Sequence, residues 1–123
     1  MTPFKIAVLA TIVAVSACSG SPAGPSGRWI GQVTPKTPGP LCTQTRGVLQ
    51  IRDNTVLFEP NEGTWILQGE AKPDGTLYAN KTQLGADKKP YETAIEARWT
   101  PTSIVGTYTT PRCTFAVTLT RSA

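Results

Sequence analysis

The sequence predicts an all-β domain, either a small antiparallel up-and-down β-barrel or a sandwich of about eight strands. Apolar and polar residues alternate one by one through a series of short segments, which is typical of half-buried strands. Turn-forming residues separate these segments at short intervals. The 123 residues include 11 Gly and 11 Pro and only 16% are charged, a composition that disfavours a helical bundle.

The alternation predicts each strand in turn. The segments are residues 28–33, 49–52, 56–58, 65–70, 76–81 (the weakest), 91–99, 104–109 and 114–120. In the clearest of them, Tyr91, Ile95 and Trp99 share one face while Glu92 and Glu96 share the other. One polar face and one apolar face indicate antiparallel strands around a common core.

The connections between the segments are mostly short. Turns are predicted at residues 53–54, 61–63, 73–75 and 100–103, and longer loops at 34–41, with its three prolines, and 83–90. Short connections favour up-and-down order, because consecutive strands then pair as neighbours. A barrel of about eight strands encloses an interior that side chains fill or that holds one small ligand.

The first 17 residues have the layout of a secretory signal peptide. Lys5 provides a positive start, residues 6–15 are apolar apart from Thr11, and the small residues Ser16 and Ala17 follow. The apolar stretch is shorter than the roughly 20 residues that a membrane-spanning helix needs. We therefore predict an exported protein.

Residues 15–18, Val-Ser-Ala-Cys, resemble the lipobox of bacterial lipoproteins. The resemblance implies that Cys18 receives a diacylglycerol, that cleavage precedes it and that its new amino group is acylated, as with palmitate. Two or more acyl chains anchor a protein stably to a membrane. Ser19 follows instead of the Asp common in lipoproteins retained at the inner membrane, which implies an outer-membrane lipoprotein facing the periplasm. The alternative is an ordinary signal peptide followed by an unrelated cysteine.

These features divide the chain into a signal peptide over residues 1–17, a lipidated flexible tether over 18–27 and a β-barrel domain over 28–123. The tether contains only Gly, Pro, Ser and Ala after Cys18, and such a segment cannot bury a core. With Cys18 lipidated, Cys42 and Cys113 remain, and an even pair in an exported protein predicts a disulfide. That disulfide would join the loop after the first strand to the start of the last.

The ends of the predicted barrel carry a second resemblance. Gly27-Arg28-Trp29 opens the first strand and Arg121 ends the last, which is similar to calycin-type barrels such as lipocalins, avidins and small bacterial metalloprotease inhibitors. The resemblance implies that Arg121 packs across the Trp29 indole at the closed end, in a structural role. The spacing of Gly27, Trp29, Cys42, Cys113 and Arg121 also resembles small exported alphaproteobacterial proteins.

Composition excludes several function classes. The chain has no His, which excludes His-based triads and His metal sites. Glu92 and Glu96 share a face but lie about 13 Å apart along a strand, too far for a glycosidase pair. Lys72, Lys81, Lys88 and Lys89 form a candidate basic patch, but an exported, lipid-anchored domain rarely meets nucleic acid. We interpret these lysines as solubilising surface charges, with binding to anionic envelope polymers or lipid headgroups as the alternative. We expect no enzyme activity, metal, cofactor or nucleic-acid partner.

The aromatic residues leave two interpretations open. Trp65, Trp99 and Tyr108 lie on the predicted inward faces, where they either fill the core or line a ligand cavity. We therefore expect a non-enzymatic envelope protein that binds a protein partner or a small apolar ligand. The second hypothesis is inhibition of a periplasmic or secreted protease through the proline-stiffened loop 34–41, and the third is a purely structural role in the envelope.

Overall fold

A computed structural model describes residues 24–37 and 39–122 of the chain. Eight strands follow one another along these residues. They are β1 (Gly27–Pro35), β2 (Thr45–Arg52), β3 (Thr55–Glu59), β4 (Leu67–Ala71), β5 (Thr76–Leu84), β6 (Pro90–Trp99), β7 (Ser103–Thr109) and β8 (Thr114–Arg121). The predicted signal peptide, Cys18 and the first part of the predicted tether lie outside the described residues.

The eight strands form one closed antiparallel barrel in up-and-down order. Each strand pairs with the next along the chain, and β1 closes the circle by pairing with β8 from Trp29–Arg121 to Pro35–Phe115. This confirms the predicted all-β class and selects the barrel over the sandwich. Closure gives every strand a partner on both sides, so residues 24–37 and 39–122 form a hydrogen-bonded barrel with its own core.

The interior of the barrel is filled with apolar side chains over most of its length. Inward-facing residues from all eight strands are fully or nearly fully buried, as the alternation predicted. The largest of the fully buried side chains are Trp29, Phe58, Leu49, Ile51, Leu67, Ile95, Ile104 and Leu119. A barrel of this strand number leaves an interior that such side chains can fill.

The two ends of the barrel differ in the length of their connections. At one end the turns 53–54, 72–75 and 100–102 have two to four residues, and at the other the connections 36–44, 60–66, 85–89 and 110–113 have four to nine. We call these the closed end and the open end. The first and last strands start and finish at the closed end, at Gly27 and Arg121.

Arg121 closes the barrel at the first of these ends. Its guanidinium lies 4.3 Å from the centre of the Trp29 ring, within range of a cation–π interaction. Its Nε donates to the Pro101 carbonyl at 2.9 Å and Nη1 donates to the Ser26 carbonyl at 2.7 Å. Arg121 therefore packs across the Trp29 indole and links the last strand to the residues that precede β1.

The structure differs from the predicted boundaries in three places. Gly27 belongs to β1, and the carbonyls of Gly24, Pro25 and Ser26 accept hydrogen bonds from Arg121 or Trp29, so this part of the predicted tether packs on the barrel. β1 and β5 continue through residues 35 and 84, so the first loop moves from residues 34–41 to 36–44 and the second shortens from 83–90 to 85–89. The strand predicted from residue 65 begins only at Leu67, because the connection 60–66 leaves the sheet before it.

Candidate functional site

The open end of the barrel contains a cavity of about 960 Å³ that opens to solvent. We call it the mouth cavity. The connections 36–44, 60–66, 85–89 and 110–113 all contribute to its rim, and β1, β2, β5, β6, β7 and β8 contribute to its wall. The volume falls in the range of sites that hold small ligands. The barrel is therefore filled towards its closed end and hollow at its open end.

Aromatic side chains form much of the cavity lining. Tyr108 and Phe115 stack on neighbouring strands with their ring centres 5.4 Å apart, and Phe58 meets the Tyr108 ring edge-on at 5.7 Å from below. Tyr91 and Trp65 also line the cavity, the latter from the rim with 44% of its surface exposed. The packed rings support one another, so the wall is formed before any ligand arrives.

Polar groups among these rings are mostly engaged with the barrel itself. The Tyr91 hydroxyl donates to Gln83 Oε1 at 3.0 Å across the β5–β6 pair. The buried Thr93 hydroxyl donates to the Lys81 carbonyl at 3.3 Å, and the Thr45 hydroxyl donates to the Pro60 carbonyl at 2.6 Å. These bonds satisfy groups that would otherwise be costly to bury.

Tyr108 is the exception among the buried polar groups of the cavity. Its side chain is 3% exposed, and none of the hydrogen bonds found among residues 24–37 and 39–122 has its hydroxyl as the donor. Burial raises the pKa of this hydroxyl, an effect that the neighbouring Trp65 indole N–H partly offsets. The phenol is therefore protonated at neutral pH and presents an O–H donor inside the cavity.

A disulfide between Cys42 and Cys113 holds one side of the rim. It joins the connection 36–44 to the residue before β8, with the two Cα atoms 5.8 Å apart and a sequence separation of 71. The prediction of this pair is confirmed. Because β1 and β8 are neighbours in the closed barrel, the covalent bond links two loops that emerge side by side.

The structure separates the aromatic residues that the sequence grouped as inward-facing. Trp65 and Tyr108 line the mouth cavity, but Trp65 does so from a connection and not from a strand. Trp99 lies at the closed end, where its indole N–H donates to the Lys72 carbonyl at 3.2 Å, so it is no part of the cavity. Trp29 is fully buried, also at the closed end. Trp99 and Tyr91 share a face of β6. They lie near the two ends of this strand, so they are at opposite ends of the barrel.

Several cavity residues were not singled out from the sequence. The alternation places Tyr91, Thr93 and Phe115 on inward faces but gives them no role. Of the two rim cations, Lys89 is marked by the sequence only as one of four lysines of a candidate basic patch, and Arg112 is not marked. The lengths of the connections are the sequence feature that could have identified the cavity residues. Inward-facing residues next to the longer connections line the mouth, whereas those next to the short turns fill the core.

The described part of the chain has no group of three or more acidic or sulfur side chains arranged to hold a metal ion. Over the same residues there is no helix with the length and apolar character needed to cross a membrane.

Comparison with known proteins leaves the site to be interpreted from its own chemistry. No protein-family model matches the chain, and neither curated proteins nor solved structures include one that is similar to it at the significance required.

Proposed function

We propose that this protein is a non-enzymatic, lipid-anchored binding protein of the bacterial cell envelope, and that its barrel takes a small, largely apolar ligand into the mouth cavity. The observation that carries the proposal is a preformed, aromatic-lined cavity at one end of an otherwise filled barrel. Cavities that are mostly apolar with a few placed polar groups are the usual form of small-molecule sites.

The envelope location rests on different features. The signal-like segment and the lipobox resemblance at residues 15–18 support export and anchoring at Cys18, with Ser19 favouring the outer membrane on its periplasmic side. The Cys42–Cys113 disulfide is in keeping with an oxidising compartment outside the cytoplasm. Replacing Cys18 by Ala should move the protein from the membrane fraction to the soluble periplasmic fraction, and continued membrane partitioning would contradict the anchor.

Binding suits the cavity better than catalysis. The described residues that line it include no nucleophile hydrogen-bonded to a general base, which is the arrangement that covalent catalysis uses. The polar groups on its wall are hydrogen-bonded to the neighbouring strand, as in the Tyr91–Gln83 and Thr93–Lys81 pairs. Such a wall can hold and orient a ligand without changing it.

Native mass spectrometry tests the binding function directly. The barrel domain, residues 19–123, is isolated from the periplasm of the native host and sprayed under conditions that keep non-covalent complexes. We expect an adduct of defined mass that disappears on denaturation. Trp65→Ala should abolish the adduct by removing one wall of the cavity, and Tyr78→Ala should keep it, because Tyr78 is similarly exposed (41% against 44%) but lies on the outer surface. Absence of any adduct on the unmodified domain, or its survival in Trp65→Ala, would contradict the proposal.

Protease inhibition is kept as a second candidate because of one turn at the open end. Gly39 and Cys42 form a bridge, and the turn between them projects Leu41 with 68% of its surface exposed. The disulfide at Cys42 stiffens this turn, which is the property that an inhibitory loop needs. If the turn inhibits a protease of the envelope or medium, Leu41→Asp will abolish inhibition in a protease panel, and inhibition that survives this substitution will contradict the role given to the turn.

A further inference from the structure

The rim of the mouth cavity carries two cations without acidic partners. Lys89 lies at the end of the β5–β6 connection and Arg112 lies in the β7–β8 connection, and both line the cavity with exposed side chains. Within residues 24–37 and 39–122, ion pairs form only between Glu62 and the two arginines Arg28 and Arg46. The positive charge of Lys89 and Arg112 is therefore available to a ligand.

One carboxylate shares this rim, and the loop already uses it. Asp87 Oδ1 accepts the backbone N–H of Lys89 at 3.0 Å, within a turn that is also held by hydrogen bonds between Gly85 and residues 88 and 89. With Asp87 engaged in the turn, the cavity rim has an excess of one positive charge. An anionic group at the rim could therefore accept hydrogen bonds from Lys89 and Arg112, while the Asp87 carboxylate is engaged within the turn 85–89.

The shape of the wall restricts the body of the ligand. Trp65, Tyr91, Tyr108 and Phe115 present four rings around the cavity, and the stacked Tyr108–Phe115 pair is fixed by Phe58 beneath it. Rings packed in this way offer flat faces and edges, which suit a rigid aromatic body better than a flexible chain that would lose more conformational freedom. The unshared O–H of Tyr108 can donate to one polar atom of that body.

We propose that the mouth cavity binds a flat aromatic monoanion, with the ring system between Trp65, Tyr91 and Tyr108 and the anionic group at the rim between Lys89 and Arg112. This inference rests on the proposed binding function and deepens it, because it adds the charge and the shape of the ligand. A carboxylate or a sulfonate fits the same two donors, since both are planar or compact groups of negatively charged oxygens.

Two fluorescent probes with nearly the same body separate charge from shape. 1-Anilinonaphthalene-8-sulfonate carries an anionic group, and N-phenyl-1-naphthylamine has the same two ring systems without it. Titrated into the folded barrel domain, residues 19–123, both should bind with a stoichiometry of one, and the anionic probe should bind about tenfold more tightly, as expected for two partly exposed charge contacts. Added salt should reduce this preference by screening the rim charges.

Paired variants assign the preference to the rim. Lys89→Gln combined with Arg112→Gln should weaken the anionic probe about tenfold and leave the neutral probe unchanged. The matched control is Lys72→Gln combined with Arg52→Gln. It removes the same number of positive charges, but at the closed end, and should change the affinity for neither probe.

The results can contradict the anionic aromatic ligand without contradicting the proposed binding function, or contradict both. Equal affinities for the two probes, or an anionic preference that survives removal of Lys89 and Arg112 but not of Lys72 and Arg52, would overturn the inference and leave a neutral-ligand cavity. Failure of both probes to bind the folded domain would count against the binding function itself. Binding that follows the expected order for probes, salt and variants supports both.

Discussion

Asp53 and Lys88 are the described residues with a Cβ and a positive φ, and Lys88 lies in the connection 85–89 at the open end. Lys88 has a φ of 65°, in the left-handed region that side chains with a Cβ enter at a cost. It is the last but one residue of the connection 85–89, where its N–H donates to the Gly85 carbonyl at 2.9 Å. Glycine is the residue that such a turn position favours.

Replacing Lys88 by Gly should therefore stabilise the domain. We expect a gain of about 0.5–1 kcal/mol, because relief of the left-handed conformation exceeds the extra entropy of glycine in the unfolded chain. Urea denaturation measures the change in midpoint. Lys88→Ala is the control, since it removes the charge and keeps the Cβ, and stabilisation by Ala equal to that by Gly would show that charge and not conformation is responsible.

A pH dependence is expected from one turn at the closed end. Asp74 Oδ1 accepts the Thr76 hydroxyl at 2.7 Å and the Thr76 backbone N–H at 3.0 Å, and these bonds hold the pKa of Asp74 below its usual 3.8. A carboxyl with a lowered folded pKa stabilises the fold fully above its unfolded pKa and loses that effect as pH falls through the folded value.

The stability advantage of the unmodified domain over Asp74→Asn should accordingly be present at neutral pH and shrink below about pH 4. Thermal unfolding of both proteins from neutral to strongly acidic pH measures it. A difference in melting temperature that stays constant down to the lowest pH would contradict the role given to Asp74.

At the scale of the strands, inward-facing glycines set how closely neighbours approach. A Cβ built on Gly69 in β4 would lie 1.8 Å from the Tyr78 carbonyl oxygen of β5, and one on Gly31 in β1 would lie 2.0 Å from the Thr118 carbonyl oxygen of β8. Both clashes are with backbone, which cannot rotate away. These glycines allow the sheet to bend tightly into a closed barrel.

Gly69→Ala should destabilise the domain by about 1–3 kcal/mol or more, the usual cost of forcing extra volume into a packed interior. Chemical denaturation gives the value. Gly39→Ala is the matched control, because no atom lies within 4 Å of a Cβ at that position. If the two variants lose the same stability, the close approach of β4 and β5 is not what requires glycine.

The strands were the most predictable part of this protein, because alternation reports which face is buried. The same signal failed at Trp65, where alternation continues through a connection that has already left the sheet. It also could not say which end of an inward face is open, so Trp99 was grouped with Tyr108 although they lie at opposite ends. Whether an inward-facing side chain is buried in the core or accessible in the cavity depends on how all four open-end connections are arranged. No local sequence pattern encodes that arrangement.

Charge at the rim was beyond the reach of the sequence for a related reason. Lys89 and Arg112 are 23 positions apart, and only the pairing of β6 with β7 and of β7 with β8 brings their connections to one cavity. Asp87, by contrast, accepts a hydrogen bond from the backbone of its own turn. Its position next to Lys88 and Lys89 in the sequence suggests an ion pair and does not reveal this role. Candidate binding residues of this kind emerge only from the closed topology.

For the whole molecule, the disulfide is a covalent contribution to stability that can be removed without changing the strand pairing. Cys42 and Cys113 close a loop of 71 residues, for which the loss of chain entropy in the unfolded state corresponds to about 4 kcal/mol at most. The fold itself is complete without the bond, since β1 and β8 are hydrogen-bonded along their whole length.

Reduction should lower the melting temperature of the domain by more than about 10 °C while the barrel still folds at room temperature. Circular dichroism with and without reductant gives the shift. The variant with Cys42→Ser and Cys113→Ser should match the reduced protein and be insensitive to reductant, and a melting temperature unchanged by either treatment would contradict a stabilising role.

The packing of residues 24–26 under Arg121 sets the polarity of the molecule with respect to a bilayer. On the proposed anchoring, only residues 19–23 separate the lipidated Cys18 from the closed end, and five residues extend at most about 18 Å. The closed end then faces the lipid and the mouth faces away from it. A ligand would arrive from the aqueous side by diffusion or from a partner across the gap, and not by sliding laterally out of the membrane.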